Sequence, residues 1–151
     1  DCERILSSAG AFELTFICPD PNGYALTDES FTISQVGTQN ITRTIGNIES
    51  YPIYQLKGII DSSSASFIKI ITNGDELKLT GRLSAGETLI IDSSLLTAKV
   101  VDSNGNVLRN GLPILDELNF PILNKGANQV KIEINSATFS ELKIYSKSCW
   151  R

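Results

Sequence analysis

The feature that most constrains the fold of this chain is an alternation of apolar and polar residues that recurs along most of its length. Such alternation is typical of half-buried β-strands, whose successive side chains point to opposite faces of a sheet. Ile, Val and Thr, which pack well on such a surface, account for 35 of the 151 residues. No segment has the periodicity of an amphipathic helix. The sequence therefore predicts an all-β protein.

The predicted strands follow one another at intervals of about ten residues, and turn residues separate them. The clearest hairpin is predicted at Asn73-Gly74, since both residues tolerate the positive φ of a type I′ turn. A second hairpin is predicted around Ser93-Ser94. Together these signals predict an antiparallel β-sandwich. Its strands are expected at 11–18, 30–36, 40–46, 53–60, 67–72, 75–81, 88–92, 95–101, 106–108, 129–134 and 139–145.

Two segments interrupt this pattern. Residues 109–128 contain two prolines and two glycines, which favours an irregular crossover with one helical turn at Leu115–Asn119. The stretch Pro19-Asp20-Pro21-Asn22-Gly23 is the best candidate for a linker, because its two prolines are incompatible with a regular ladder. The chain has no Met and begins at Asp1. We therefore expect a processed product or a piece of a longer protein.

The composition excludes several kinds of chemistry and partner. The chain has no His, so a Ser-His-Asp triad, a Cys-His pair and a His-based zinc site are impossible within it. The net charge of −4 and the scattered Lys and Arg residues argue against nucleic acid and anionic membrane surfaces as partners. No apolar run is long enough to cross a membrane.

The acidic residues give little support for catalysis or metal binding. Carboxylate pairs occur at Asp28-Glu29, Asp75-Glu76 and Asp116-Glu117, but neighbours on a strand point to opposite faces and cannot share a cleft. The loop that starts at Asp102 resembles a calcium loop, yet Pro113 stands where that pattern needs a Glu. The sequence therefore predicts no catalytic residue, no metal site and no cofactor.

Three cysteines, Cys2, Cys18 and Cys149, are too far apart in sequence to indicate a metal site. We interpret Cys18 as a small buried apolar residue. A Cys2–Cys18 bridge remains open, because a disulfide depends on geometry that a sequence does not show. The odd number of cysteines fits assembly in a reducing cytoplasm.

Three aromatic residues, Tyr51, Tyr54 and Trp150, are the candidate contacts for a glycan or a protein partner. A ring exposed beside polar side chains suits either role. Each also suits the edge of a core, where the ring is buried and its polar atom stays in water.

The order of several short phrases resembles that of the distal tail proteins of long-tailed bacteriophages. The phrase FELTFICPDP, followed by a Tyr, is similar to the junction between the two domains of those proteins. The similarity continues in the same order through Tyr51-Pro52-Ile53 with Gly58, Asn73-Gly74, Gly86-Glu87-Thr88-Leu89-Ile90-Ile91-Asp92, Asn104-Gly105, Phe120-Pro121 with Leu123, Gly126 and Asn128, and the closing Tyr145 and Trp150.

The resemblance implies a galectin-like β-sandwich of the jelly-roll type for residues 26–151, and the end of a ring-forming domain with its linker for residues 1–25. It implies a structural adaptor that links the tail tube to tail-tip proteins, including a tail-associated lysin and a receptor-binding protein. The full-length protein would be a homohexamer in the virion, or a prophage product in the bacterial cytoplasm. The alternative function is a carbohydrate-binding module for host cell-wall glycans. The sugar-binding residues of galectins are not implied, because the chain lacks His and its only Trp is next to last.

Overall fold

The computed structural model describes residues 15, 17, 22–61, 63 and 65–151. In this part of the chain, antiparallel strands form two sheets that pack face to face as a sandwich, which confirms the predicted fold class. The elements in chain order are β1 Gly23–Tyr24, β2 Ser30–Ile33, β3 Gly37–Arg43, β4 Ile53–Ile60, β5 Phe67–Thr72, β6 Asp75–Leu79, β7 Thr88–Asp92, β8 Thr97–Val101, β9 Val107–Asn110, a 3₁₀ turn Leu112–Ile114, β10 Gly126–Asn135, β11 Ala137–Tyr145 and β12 Cys149–Trp150.

The larger sheet has six strands in the order β2-β11-β4-β7-β8-β9, and the smaller has four in the order β3-β10-β5-β6. Consecutive strands β10 and β11 lie in different sheets, so the chain crosses the sandwich at Ser136, whose φ is +47°. The short strands β1 and β12 form a separate ladder. This ladder holds the chain at Gly23 beside the chain at Trp150.

The core lies between the two sheets and follows the alternation of the sequence. In β4, Tyr54, Leu56 and Ile60 are fully buried, and in β5 Ile68 and Ile70 are fully buried as well. Burial of one such side chain stabilises a fold by about 1.5–3 kcal/mol. The apolar faces of the two sheets therefore supply the main stabilisation of the sandwich.

The hairpin at Asn73-Gly74 is confirmed. Thr72 pairs with Asp75 across the turn, and the two turn residues have φ values of +55° and +99°. Positive φ at both central positions is the signature of the type I′ turn, which matches the twist of the strands on either side. The predicted bounds of the strands at 53–60, 67–72 and 88–92 agree with β4, β5 and β7.

Other predicted bounds were wrong. The break expected between the strands at 30–36 and 40–46 lies at 34–36 instead, and β3 starts at Gly37. The helical turn expected at Leu115–Asn119 is a 3₁₀ turn at Leu112–Ile114, where Pro113 lies early in the turn and supplies a suitable φ. Ile134 was expected to point inward but is 38% exposed, because β10 extends beyond the sheet interior near its end.

Two expectations fall on the N-terminal segment. The predicted strand Ala11–Cys18 and the possible Cys2–Cys18 bridge lie outside the described residues, apart from Thr15 and Ile17, which are exposed and outside any strand. Gly23 and Tyr24, which precede the expected domain boundary at residue 26, pair with β12; the boundary itself stays a prediction. Within the described chain no helix has the length and apolar character needed to span a membrane.

Candidate functional site

The prediction that Tyr54 contacts a glycan or a protein partner is wrong, because Tyr54 is fully buried. It shares the inward phase of β4 with Leu56, and its hydroxyl donates to Thr72 Oγ1 at 3.1 Å, with the Pro121 carbonyl oxygen at 3.4 Å. Burial raises the pKa of Tyr54 well above its usual value. The side chain is a hydrogen-bonded part of the core and contacts no solvent.

Tyr51 and Trp150, in contrast, lie at the surface with exposed fractions of 54% and 41%. Tyr51 precedes Pro52, so it stands outside the alternation that begins at Ile53. Trp150 belongs to β12 and pairs with Gly23. The chain at Trp150 lies at the same end of the sandwich as Tyr51, because its neighbours Cys149 and Arg151 line two adjoining concavities with Tyr51; the Trp150 side chain itself lines neither.

Four further apolar side chains are exposed at this end. Tyr24 and Ser94 line one of the concavities with Tyr51, Leu26 follows Tyr24 closely, and the loop 93–96 continues from Ser94. We call this end the Tyr51 face and define it by its exposed apolar side chains, which are Tyr24, Leu26, Tyr51, Leu95, Leu96 and Trp150.

Sequence reasoning missed Leu95 and Leu96, which it placed in a strand. Both lie in the loop between β7 and β8, and they are 70% and 60% exposed. The adjacent pair of leucines breaks the alternation, and this was the available signal that one of them could not face the core. The hairpin predicted around Ser93-Ser94 is confirmed, since β7 pairs with β8, but its loop has four residues and β8 starts at Thr97 instead of residue 95.

The loops of the Tyr51 face are held by side chains that cap their backbone. Asp92 Oδ1 accepts hydrogen bonds from Ser94 N at 2.9 Å and Leu95 N at 3.1 Å. Leu96 has a φ of +53° and Lys147 one of +51°, which is uncommon for residues with a side chain. Strained backbone of this kind persists where the surrounding contacts enforce it, and it clusters at functional sites.

The pair Asp28-Glu29 anchors two of these loops. Asp28 accepts from Ser146 Oγ at 2.8 Å and from Lys147 N at 2.9 Å. Glu29 accepts from Thr44 and Ile45, and, although burial opposes the effect, these hydrogen bonds lower the pKa of Glu29 below its usual value. The two carboxylates therefore bind backbone and hydroxyl groups of their own chain.

The other acidic pairs and the Asp102 loop have similar local partners. Glu76 pairs with Lys69 at 2.9 Å, and Asp116 pairs with Lys78 at 2.7 Å. Asp102 accepts hydrogen bonds from the side chain and backbone of Asn106, which lower the pKa of Asp102. Among the residues that the structure describes, no group of three or more potential ligands is placed to hold a metal ion.

The loop 123–126 beside Tyr51 is fixed by two asparagines. Asn128 is buried; its Oδ1 accepts from Asn73 Nδ2 at 2.8 Å and from Asn124 N at 2.7 Å, while its Nδ2 donates to the carbonyl groups of Asn124 and Gly126. Asn73 also accepts from Gln129 N at 3.0 Å. This network gives Asn124 and its neighbour Lys125 defined positions at the edge of the Tyr51 face.

A buried cation lies beneath the same face. Arg43 is 1% exposed, and its Nη2 donates to the Ile48 carbonyl oxygen. Its Nε and Nη1, and the buried Ser50 Oγ, have no hydrogen-bond partner in the described chain. Burial lowers the pKa of Arg43, although Cys149 and the acids Glu29, Asp28 and Glu49 oppose the shift. Cys149 itself is a free, buried thiol that donates to the Glu49 carbonyl oxygen at 3.5 Å.

The two concavities meet at Tyr51. The larger has a volume of about 760 Å³ and is lined by Asn22, Asn47, Ile48, Glu49, Tyr51, Asn124, Lys125 and Arg151. The smaller has a volume of about 330 Å³ and is lined by Asn22, Tyr24, Ile48, Glu49, Tyr51, Asp92, Ser94, Lys147 and Cys149. Tyr51 thus lines both the larger cleft and the smaller hollow, which reaches Ser94.

Comparison with known proteins finds no matching protein-family profile and no matching curated sequence.

Proposed function

We propose that this chain is a structural adaptor domain of a bacteriophage tail tip, and that it docks another protein on the Tyr51 face. The observation that carries the docking proposal is the exposure of six large apolar side chains at one end of the sandwich. An apolar patch rimmed by polar residues is typical of protein interaction sites. Tyr and Trp are also enriched at the centre of such interfaces.

The rigidity of the loops supports the same function. Asp28, Glu29 and Asp92 hold the backbone of the exposed loops, so little conformational freedom would be lost when a partner binds. A preorganised surface binds more tightly than a mobile one of the same area. These carboxylates already accept hydrogen bonds from their own chain, so they stabilise the loops, as expected of a structural domain.

The resemblance to distal tail proteins supplies the identity of the partners. On this proposal, the full-length protein is a homohexamer at the tip of the tail tube, located in the virion. The candidate partners are the tail tube protein, the tail-associated lysin and the receptor-binding protein. The order of the phrases from FELTFICPDP to Trp150 supports this assignment.

Coexpression with a candidate tail tube protein, tail-associated lysin or receptor-binding protein tests the proposal. The full-length protein should co-elute with at least one tail-tip protein in size-exclusion chromatography. The double variant L95D/L96D should weaken that complex by at least about tenfold, since it puts charge into an apolar interface. The matched control V107D/L108D alters two exposed apolar residues of β9 and should bind like the wild type. A chain that co-elutes with no tail protein would refute the adaptor function.

A further inference from the structure

Asn-Gly pairs recur along the chain, and they begin at Asn22, Asn73, Asn104 and Asn110. The last three lie wholly within the described chain. An Asn side chain loses its amide nitrogen when the backbone nitrogen of the next residue attacks the side-chain carbon Cγ, and a following Gly does not hinder this attack. The two atoms must also be free to meet in the correct orientation. The fold therefore determines which of these pairs react.

The side chain of Asn73 is fixed away from the reacting position. Its Nδ2 donates to Asn128 Oδ1 at 2.8 Å, and its Oδ1 accepts from Gln129 N at 3.0 Å. Both polar atoms of the amide are therefore held against β10. Attack by the nitrogen of Gly74 would require these hydrogen bonds to break, and their loss in a partly buried site is costly.

The pair that begins at Asn110 is held at both reacting groups. Asn110 Oδ1 accepts from Leu112 N at 3.0 Å, and the Gly111 nitrogen donates to the Ala98 carbonyl oxygen at 2.9 Å. Gly111 is buried, and a Cβ added there would lie 2.6 Å from Leu89 Cδ1. The attacking nitrogen is thus bonded and enclosed.

The side chain of Asn104, in contrast, is exposed, and no hydrogen bond or ion pair joins it to the rest of the described chain. Asn104 lies in the loop between β8 and β9, where its backbone nitrogen donates to Asp102 Oδ1 at 2.8 Å. The nitrogen of Gly105 donates to the Asp102 carbonyl oxygen at 3.1 Å, and open space surrounds Gly105. A single bond in an exposed turn opens by local fluctuation, without unfolding of the sandwich.

We propose that Asn104 is a site of spontaneous deamidation in the folded protein and that it reacts faster than Asn73 and Asn110. The deprotonated nitrogen of Gly105 forms a bond to Asn104 Cγ, the bond from Cγ to Nδ2 breaks, and the amide nitrogen leaves as ammonia. Water then opens the cyclic succinimide at either carbonyl carbon, which gives Asp or isoaspartate at position 104. No atom is oxidised or reduced, and water is the co-reactant.

The products alter the loop between β8 and β9. Either product places a second carboxylate close to Asp102, whose carboxylate already accepts from the backbone and side chain of Asn106. Isoaspartate also lengthens the backbone by a carbon atom, which changes the turn that these bonds hold. The changes should stay within the hairpin, because residues 102–106 contribute nothing to the core cluster.

Storage of the full chain at neutral pH, followed by peptide mapping with mass spectrometry, measures the rate at each site. Asn104 should deamidate at least about tenfold faster than Asn73 and Asn110, since reacting groups held out of position lose at least that factor. Its rate should rise as the pH is raised above neutrality, because the attacking nitrogen must be deprotonated. In guanidinium chloride the three sites should react at similar rates, because no native hydrogen bond protects them.

Variants test the physical cause of the difference. Asn104→Gln, whose longer side chain would have to close a larger ring, should remove the first acidic species seen in ion-exchange chromatography. In folded Asn128→Ala the rate at Asn73 should rise severalfold, while Asn110 serves as the internal control. The proposal is overturned if Asn73 or Asn110 reacts as fast as Asn104 in the folded chain, if the rate at Asn104 does not depend on pH, or if the same ranking persists in guanidinium chloride.

Discussion

Two buried polar regions lie on either side of the loop 123–126, and they differ in how completely their polar groups are hydrogen-bonded. On one side, Asn73 and Asn128 satisfy each other and the backbone of the loop. On the other side, Arg43 pairs with Gly126 and Ser50 pairs with Leu123 through their backbones. There the guanidinium Nε and Nη1 and the Ser50 hydroxyl lack partners within the described chain.

The difference shows which polar residues specify the fold. A completed network in the low dielectric of the interior rigidifies its surroundings, and the loss of one member leaves several groups unpaired. A buried ion with incomplete partners stabilises little, because the cost of its desolvation is not recovered. We therefore expect the small amide Asn128 to contribute more to stability than the large cation Arg43.

The largest effect is expected at Asn128. Asn128→Ala removes the acceptor of Asn73 Nδ2 and Asn124 N in a buried site, which should lower the free energy of unfolding by about 2–4 kcal/mol. Urea denaturation measures the change. Gln129→Ala is the control, since that side chain is exposed on the same strand. A loss below about 1 kcal/mol, the net value of a typical single hydrogen bond, would contradict a cooperative network.

The second largest loss of stability is expected at Gly74. The type I′ turn aims Asn73 at its network, and Gly74 has a φ of +99° with open space around it. Gly74→Val therefore meets backbone strain without a steric clash, and the free energy of unfolding should fall by about 1–3 kcal/mol. Gly23→Val, at a glycine without positive φ, is the comparison. Equal denaturation midpoints for the two variants would show that the turn is not strained by a side chain.

A third test concerns Arg109, which forms an ion pair with Glu87, in contrast to the incompletely paired Arg43. Arg109 Nη1 and Nη2 donate to Glu87 at 2.5 and 2.7 Å, and these bonds lower the pKa of Glu87 to about 2 although burial opposes them. The folded state thus holds this proton less tightly than the unfolded chain, whose pKa is near 4.5. The stabilisation is present above about pH 4.5 and is lost as the pH falls towards about 2.

Glu87→Gln should therefore lower stability by about 1 kcal/mol at pH 6, a modest figure because Arg109 is 40% exposed. The difference from wild type should vanish near pH 2. Thermal melts across this range measure it, and a difference that does not depend on pH would exclude the ion pair as its cause.

The smallest effect is expected at Arg43, although it is among the largest fully buried side chains. Arg43→Met replaces an incompletely paired ion with an apolar group of similar length, so the free energy of unfolding should change by less than about 1 kcal/mol or rise. Arg43→Ala, which leaves a cavity, should be less stable than Arg43→Met. A loss above about 3 kcal/mol in Arg43→Met, the usual cost of breaking a buried pair, would mean that Arg43 has strong partners in solution.

The alternation of the sequence was sufficient to predict the sandwich and the exact span of β4, because a half-buried strand must repeat every two residues. The same alternation, applied strictly, would have placed Tyr54 inside with Leu56. The strands β1 and β12 have two residues each, which is too short for any periodic signal. Their pairing depends on contacts between distant parts of the chain.

The candidate site was predicted only in part. Tyr51 and Trp150 do lie at one exposed end. The cleft, however, is also lined by residue 49 and residues 124–125, and no local sequence pattern indicates that these two segments meet. The loop 123–126 meets Tyr51 because of the buried Asn128 and the bridge between Ser50 and Leu123. A buried Arg such as Arg43 also has no sequence signal, since Arg is usually exposed.

The pairing of β1 with β12 determines how this domain would respond to mechanical load. Gly23 lies opposite Trp150 in an antiparallel ladder, so a force that pulls these two points apart would open the ladder like a zipper, one hydrogen bond after another. A two-residue ladder offers little resistance in that geometry. The tension would then reach the bond from Ala25 N to the Ser148 carbonyl oxygen and, after it, Asp28, whose carboxylate joins the chain after β1 to Ser146 and Lys147. Asp28 would therefore resist extension of the chain before the load reaches the sheets.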